Sequence, residues 1–177
     1  MRDSHILRTE QCYMAIGQSS VIEQYFYENK SVLIFQNYFG FEVAKMPLEL
    51  VLSEPLLESI NRKYKIKSAG ITKITPYRVY DWHVDINRGV SINLLLTPTC
   101  KSLVLFANEV KDSNDQLDFV ELIYEPKTFY LINNQIKHCV INFNESRYLF
   151  TLEFELNKNV LNFDEVACLA QKVRAQS

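Results

Sequence analysis

Residues 147–156 of the chain read RYLFTLEFEL, and this stretch decides the fold class. Side chains of a β-strand point alternately to its two faces, so every second residue shares a face. One face of this segment is wholly apolar and consists of Tyr148, Phe150, Leu152, Phe154 and Leu156. The opposite face consists of Arg147, Leu149, Thr151 and Glu153. The pattern predicts a strand with one face in the core and the other lining a cavity.

Residues 90–96, VSINLLL, show the same division, with Ser91 and Asn93 on the face opposite the apolar one. Short β-rich segments of this kind run from about residue 66 to 156. Turn-forming residues separate them, for example at Thr75-Pro76, Asn87-Arg88-Gly89, Thr97-Pro98 and Asn133-Asn134. Many short strands between regular turns are typical of a sandwich, barrel or jelly roll. We therefore expect a mainly β fold with flanking helices.

The flanks of this β-rich region have helical patterns. Residues 20–27 and a segment beginning at Ser53 and Pro55 predict two helices, and residues 32–35, VLIF, predict a buried strand between them. A C-terminal helix is predicted by the spacing of Phe163, Val166, Leu169, Ala170 and Val173. We expect one domain over residues 1–177, with N-terminal support in 1–65, a β core in 66–156 and the helix in 157–177.

Composition restricts the function classes. The 177 residues carry a formal net charge of −2, which gives no overall attraction to nucleic acid or to an anionic membrane. No signal-peptide pattern or long apolar run is present, so we expect a cytoplasmic protein without a membrane partner. The four cysteines form no CxxC pair, which argues against a zinc knuckle or a disulfide framework.

Two of the three histidines occur where a metal site would need them. In Trp82-His83-Val84-Asp85, two-residue spacing on a strand would place His83 and Asp85 on the same face. His138 follows 55 residues later, at the start of another apolar segment, whereas His5 lies in the N-terminal tail. Two imidazoles and one carboxylate on one side of a metal leave positions free for a cosubstrate and oxygen, an arrangement that suits iron(II).

Arg147 is the fourth member of the predicted site. It follows His138 by nine residues and lies on the polar face of the next strand. A guanidinium inside a barrel is costly unless it meets an anion, and its planar fork matches a carboxylate. Each of these residues is weak evidence alone, but together and in this order they predict a metal site with an anion-binding arginine.

Residues 70–156 resemble the core of the 2-oxoglutarate/Fe(II) oxygenase superfamily, whose signature is HxD, a distal His and a later Arg or Lys. The finer similarity is to aspartyl/asparaginyl hydroxylase-like and small bacterial or phage hydroxylase members. It is carried by residues 83–94, HVDINRGVSINL, and by 138–142, HCVIN, followed by Arg147. Asp85 departs from typical aspartyl hydroxylases, which lack a carboxylate at this position.

This resemblance implies a double-stranded β-helix (a cupin-like jelly roll) and hydroxylation coupled to the conversion of 2-oxoglutarate and O₂ into succinate and CO₂. By position, His83, Asp85 and His138 would bind iron and Arg147 would bind the distal carboxylate of 2-oxoglutarate, with Ser91 and Asn93 as weaker candidates for contact with the cosubstrate. Asp85 favours hydroxylation, since related halogenases leave that position free for halide.

A small molecule or a peptide is the expected substrate, and nucleic acid is not expected. Candidate substrate contacts are the aromatic and basic residues flanking the HxD segment, namely Arg78, Tyr80, Trp82 and Arg88. Two alternatives stay open. One is a cupin-type metal enzyme without 2-oxoglutarate, although cupins usually assemble three histidines and a glutamate. The other is a jelly-roll binding module without catalytic activity. The oligomeric state cannot be predicted from the sequence.

Overall fold

The computed structural model describes residues 7–38, 40–108 and 118–175. His5 lies outside these residues. The helices are α1 (Thr9–Cys12), α2 (Ile22–Asn29), α3 (Leu48–Val51), α4 (Pro55–Lys63) and α5 (Phe163–Ala175). The strands are β1 (Tyr13–Gln18), β2 (Gln36–Tyr38), β3 (Phe41–Lys45), β4 (Ile66–Ile74), β5 (Arg78–His83), β6 (Val90–Leu95), β7 (Ser102–Ala107), β8 (Phe119–Glu121), β9 (Thr128–Asn133), β10 (Lys137–Asn142) and β11 (Arg147–Phe154).

The strands form two antiparallel sheets. The major sheet has the order β1-β9-β6-β11-β4-β3-β2, and the minor sheet has the order β5-β10-β7-β8. From β4 onward the chain passes repeatedly between the two sheets, so that β4, β6, β9 and β11 belong to one and β5, β7, β8 and β10 to the other. This is the double-stranded β-helix with flanking helices that the sequence predicts.

The two faces of the major sheet have different environments. Phe150 and Leu152 of β11 pack with Ile92 of β6 in a cluster that includes Phe26 of α2 and Val166 of α5. The other face turns toward the minor sheet, where a second cluster contains Val104, Phe106, Leu122, Tyr130 and Ile132. The division into two faces is therefore confirmed for residues 147–154. Leu156, which was predicted on the apolar face, lies beyond the end of β11 and is 40% exposed. The face that carries Arg147 lies between the sheets.

The N-terminal region differs from the prediction in one segment. Residues 32–35 are not a strand, because the chain turns there after α2, with the amide of Val32 donating to the carbonyl of Asn29 at 2.9 Å. Leu33 and Phe35 pack against the core, whereas Val32 and Ile34 are exposed. An apolar run of this length fits a strand or an irregular segment equally well, and the turn that follows α2 decides between them.

The helices near residues 20–27, 55–63 and 163–175 are confirmed. The N-terminal region also contributes β1, β2 and β3 to the major sheet. Within the described residues, no helix is long and apolar enough to span a bilayer.

Candidate metal and cosubstrate site

The fold brings His83, Asp85 and His138 together. His83 ends β5, His138 is in the neighbouring strand β10, and the two residues are direct partners across the antiparallel pair. Asp85 Oδ1 lies 3.5 Å from His83 Nε2 and 4.0 Å from His138 Nε2. Each of the three residues offers a ligand atom within 4.8 Å of the others. This group, here called the triad, is a donor set of two imidazoles and one carboxylate.

The backbone places Asp85 differently from the expectation. The sequence predicts that His83 and Asp85 lie together because they alternate along one strand. This reason does not hold, because β5 ends at His83 and Asp85 lies beyond it. The amide of Asp85 instead donates to the carbonyl of Asn134 at 3.1 Å. The turn before β10 therefore fixes the carboxylate beside the histidines. The predicted grouping is right, and its structural reason is a contact between segments about 50 residues apart.

Both histidines are held in the same tautomer. His83 Nδ1 lies 2.6 Å from the carbonyl oxygen of Asp81, and His138 Nδ1 lies 2.8 Å from that of Ile136. A carbonyl oxygen can only accept, so each Nδ1 must carry the hydrogen, and in the neutral ring Nε2 has a free lone pair. Burial also lowers the pKa of His138, an effect that outweighs the opposing hydrogen bond to Ile136. A neutral imidazole with a free Nε2 is the form that binds a metal ion.

Arg147 lies on the face of the major sheet that turns toward the minor sheet. It is 1% exposed, and its Nε has no hydrogen-bond partner among the described residues. The Oδ1 of Asn93, which shares that face, is likewise buried without a partner. Buried polar atoms are rarely left unpaired, and an unpaired buried charge is costly. The unpaired Nε of Arg147 can donate to a carboxylate, whereas Asn93 Oδ1 needs a donor. The two atoms therefore fit a polar ligand or water between the sheets, with the carboxylate at Arg147.

Tyr124 borders the same region and is absent from the sequence prediction. The Arg147 guanidinium carbon lies 5.6 Å from the centre of its ring. Burial raises the pKa of Tyr124, while Arg147 and Asn93 act in the opposite direction. The phenol therefore stays protonated and can donate a hydrogen bond near the guanidinium. Tyr124 follows β8 in a segment without a motif, so no sequence signal marks it.

The Ser91 hydroxyl is already hydrogen-bonded to another side chain. It lies 2.9 Å from Asn134 Oδ1, and the Asn134 amide nitrogen lies 2.5 Å from Asp85 Oδ2. Contact between Ser91 and a cosubstrate stays a prediction, and the observed hydrogen bonds link Ser91 through Asn134 to the Asp85 carboxylate of the triad. Asn134 appears in the sequence only as part of a turn-forming Asn-Asn pair, because its side-chain role depends on contacts distant in sequence.

Among the candidate substrate residues, Tyr80 and Arg88 contact the triad. The Tyr80 ring centroid lies 4.3 Å from that of His83, and Arg88 Nε lies 2.7 Å from Asp85 Oδ2. Arg78 is exposed in β5 opposite Asn142, and Trp82 is partly exposed beside His83. Substrate contact by all four stays a prediction.

A row of aromatic side chains leads from the surface to the triad. Tyr38, Phe41 and Tyr80 form this aromatic row, with ring centroids 5.7 Å apart for the first pair and 5.3 Å for the second. The register between β5 and β10 shifts between His138 and Val140, so two residues of β5, Asp81 and Trp82, lie opposite the single residue Cys139 of β10. Such a bulge re-aims side chains locally. It accounts for the edge-to-face contact between Tyr80 and His83, which simple alternation would not predict.

No protein-family model and no curated protein matches this sequence. Solved structures do match. HygX from Streptomyces hygroscopicus, with nickel and 2-oxoglutarate bound, matches with a TM-score of 0.60, 11% identity and coverage of 85% of this chain and 87% of that one. A prolyl-4-hydroxylase from Pseudomonas putida gives a TM-score of 0.58 at 11% identity, covering 82% and 93%. A Trichoplax adhaerens prolyl hydroxylase in complex with a peptide fragment of hypoxia inducible factor gives 0.56 at 19%, covering 96% and 88%.

The chain therefore has the double-stranded β-helix fold of the 2-oxoglutarate/Fe(II) oxygenases. At these identities the matches show the fold alone, and they do not identify a subfamily. Within the fold, the triad is consistent with binding of Fe(II) and 2-oxoglutarate.

Proposed function

We propose that this chain is an Fe(II)- and 2-oxoglutarate-dependent hydroxylase. The observation that carries the proposal is the pairing of two half-sites on facing sheets. The minor sheet and the loop after β5 present the triad with both Nε2 atoms available, and the major sheet presents a buried arginine with an unpaired Nε. A metal site alone would not need the arginine, and an anion site alone would not need the triad.

Each half-site has a role in this proposal. His83, Asp85 and His138 would hold iron(II), and Arg147, with the Asn93 amide nearby, would hold the distal carboxylate of 2-oxoglutarate. The bound iron and cosubstrate would supply oxygen activation, with one oxygen atom of O₂ passing to succinate and the other to the substrate. The protein's own contribution is to orient these groups between two sheets and to exclude water. Asp85 fills the carboxylate position, which favours hydroxylation over halogenation.

The substrate would approach along the aromatic row. Tyr80 makes an edge-to-face contact with His83, and Tyr38 at the other end is exposed, so the row joins solvent to the triad. A small molecule or a peptidyl side chain are both consistent with this surface. Structures that share the fold support both classes, since one carries a hypoxia inducible factor peptide and another carries hygromycin B. A structure with manganese and N-oxalylglycine would show the size and charge of the space beyond the metal.

Anaerobic spectroscopy tests the proposal directly. Addition of 2-oxoglutarate to the Fe(II)-loaded protein should produce a visible metal-to-ligand absorption band, and admission of O₂ should release succinate even without substrate. His138→Ala and Asp85→Ala should lose both signals, whereas Arg62→Met on the distant helix α4 should keep them. If the wild-type protein gave neither the band nor succinate, the proposal would be wrong.

A further inference from the structure

The two oxygens of Asp85 have different surroundings. Oδ1 faces the histidines, at 3.5 Å from His83 Nε2 and 4.0 Å from His138 Nε2. Oδ2 faces away and accepts two hydrogen bonds, from Arg88 Nε at 2.7 Å and from Asn134 Nδ2 at 2.5 Å. The residue is 9% exposed, so this is not a solvent-screened surface pair.

Asn134 is itself fixed on several sides. It is 2% exposed, and its Oδ1 contacts the Ser91 hydroxyl at 2.9 Å. Its backbone amide donates to Gly89, and its carbonyl accepts from Asp85, both at 3.1 Å. Since a carboxylate can only accept, the nitrogen of the Asn134 side chain must be the atom that faces Asp85. The orientation of this amide is therefore determined by its partners.

The loop that carries Arg88 is tied to the same turn. The side-chain amide of Gln135 donates to the carbonyl oxygens of Asp85 at 3.1 Å and of Arg88 at 2.8 Å. Both donors to Oδ2 thus belong to segments that are hydrogen-bonded to each other. Rotation of the Asp85 carboxylate would break two hydrogen bonds to an ionised acceptor, which are among the stronger hydrogen bonds in proteins.

We infer that Arg88 and Asn134 are positioning residues that keep Asp85 a one-oxygen metal ligand. A carboxylate can bind a metal ion through one or both oxygens. With Oδ2 held by two donors, only Oδ1 is available, so the triad occupies three positions. The remaining positions stay free for a chelating cosubstrate and a further ligand. This inference rests on the proposed metal site and gives Arg88 a role distinct from contact with substrate.

Manganese binding to the full chain tests the inference without any turnover. Arg88→Met removes one donor at a partly exposed position, and Asn134→Leu removes the other. Arg88→Lys retains a charged donor. Arg62→Met is the matched control, because Arg62 Nε also lies 2.7 Å from a carboxylate, that of Glu58 in α4. Affinity is measured by electron paramagnetic resonance of free Mn²⁺, and water ligands are counted by water-proton relaxation.

Arg88→Met should weaken Mn²⁺ binding by about 10- to 100-fold, the usual effect of losing a group that orients a metal ligand. It should also lower the number of exchangeable waters by one when Oδ2 joins the metal. Arg88→Lys should recover part of the affinity, and Arg62→Met should match the wild type. Asn134→Leu should act in the same direction as Arg88→Met, but its burial makes Arg88→Met the deciding variant.

The outcomes separate this inference from the proposed function. If the wild-type protein binds no Mn²⁺, Fe²⁺ or Co²⁺ at the triad, both fail. If it binds Mn²⁺ and Arg88→Met retains both its affinity and its water count, only the positioning role is overturned. A lower unfolding temperature with unchanged affinity and water count would indicate a purely structural role and would also overturn it.

Discussion

Arg147→Met should separate cosubstrate binding from stability. The Arg147 side chain is almost completely buried, and its Nε has no hydrogen-bond partner in the described part of the chain. A buried cation opposes folding unless an anion neutralises it, and the neighbour of Arg147 at 5.6 Å is the uncharged ring of Tyr124. Methionine has a similar length and no charge. The substitution should therefore remove an anion site without removing a net stabilising interaction.

The substitution should weaken 2-oxoglutarate binding but leave the free energy of unfolding unchanged or higher. Loss of one partner from a buried, hydrogen-bonded charge pair costs about 2–5 kcal/mol. This corresponds to a loss of about 30-fold to several thousand-fold in 2-oxoglutarate affinity. Replacement of a buried ionic group by an apolar one of similar size is often neutral or stabilising, by up to about 4 kcal/mol. Arg147→Lys should give intermediate binding because it keeps the charge but loses the planar fork.

Two measurements check this prediction. Titration calorimetry of 2-oxoglutarate into Mn²⁺-loaded protein gives the affinity, and urea unfolding of the metal-free protein gives the free energy of unfolding. Arg62→Met, on an exposed face of α4, should leave the cosubstrate affinity unchanged. The reasoning would be refuted if Arg147→Met bound 2-oxoglutarate as tightly as the wild type. It would also be refuted if the variant lost several kcal/mol of stability, since Arg147 would then be a structural residue.

Three further predictions concern the scaffold. A Cβ on Gly89 would overlap the carbonyl oxygen of Leu161, so Gly89→Ala should displace the adjoining loop and lower both the unfolding temperature and Mn²⁺ affinity; an unchanged affinity would contradict this. Glu54 accepts hydrogen bonds from four consecutive residues at the start of α2, from Ser19 to Ile22, so Glu54→Ala should cost about 3–5 kcal/mol in urea unfolding, and a cost below about 1 kcal/mol would count against it. Burial raises the pKa of Cys12 to about 12, so its thiol stays protonated at pH 8 and 10; mass spectrometry after iodoacetamide should find exposed Cys168 labelled and Cys12 unlabelled in the folded protein at both pH values.

Local patterns predicted the fold because the alternation of apolar and polar residues depends directly on which face of a strand is buried. The alternation in residues 147–154 follows from one face packing under α2 and α5 and the other facing the minor sheet. Residues 32–35 show the limit of this reasoning. Their apolar character is real, but Val32 and Ile34 are exposed where the chain turns after α2. Periodicity cannot distinguish a strand from a turn in four residues.

The candidate site could be proposed from the sequence where chemistry restricts residue type. A histidine pair, a nearby carboxylate and a later arginine have few joint uses, so His83, Asp85, His138 and Arg147 could be chosen from the sequence. The residues that orient them, such as Asn134, could not be chosen in this way. Asn134 hydrogen-bonds with Asp85 across 49 positions, and neither its residue type nor its spacing is unusual. Such partners are defined only after the sheets have formed.

The groups that orient the triad affect how it would bind a metal ion. Both Nδ1 atoms are tied to backbone carbonyls, and Asp85 Oδ2 is held by Arg88 and Asn134. Hydrogen bonds within the protein therefore orient all three ligand atoms. A site of this kind differs from small zinc domains, in which metal binding supplies the folding energy. Here a metal should stabilise the folded chain by mass action alone, by about 2.7 kcal/mol at a free concentration 100 times its dissociation constant. Two sheets and the turn before β10 hold the triad and Arg147 in position. Under the proposed function, the metal positions left open by the triad, together with Arg147, would determine what is bound.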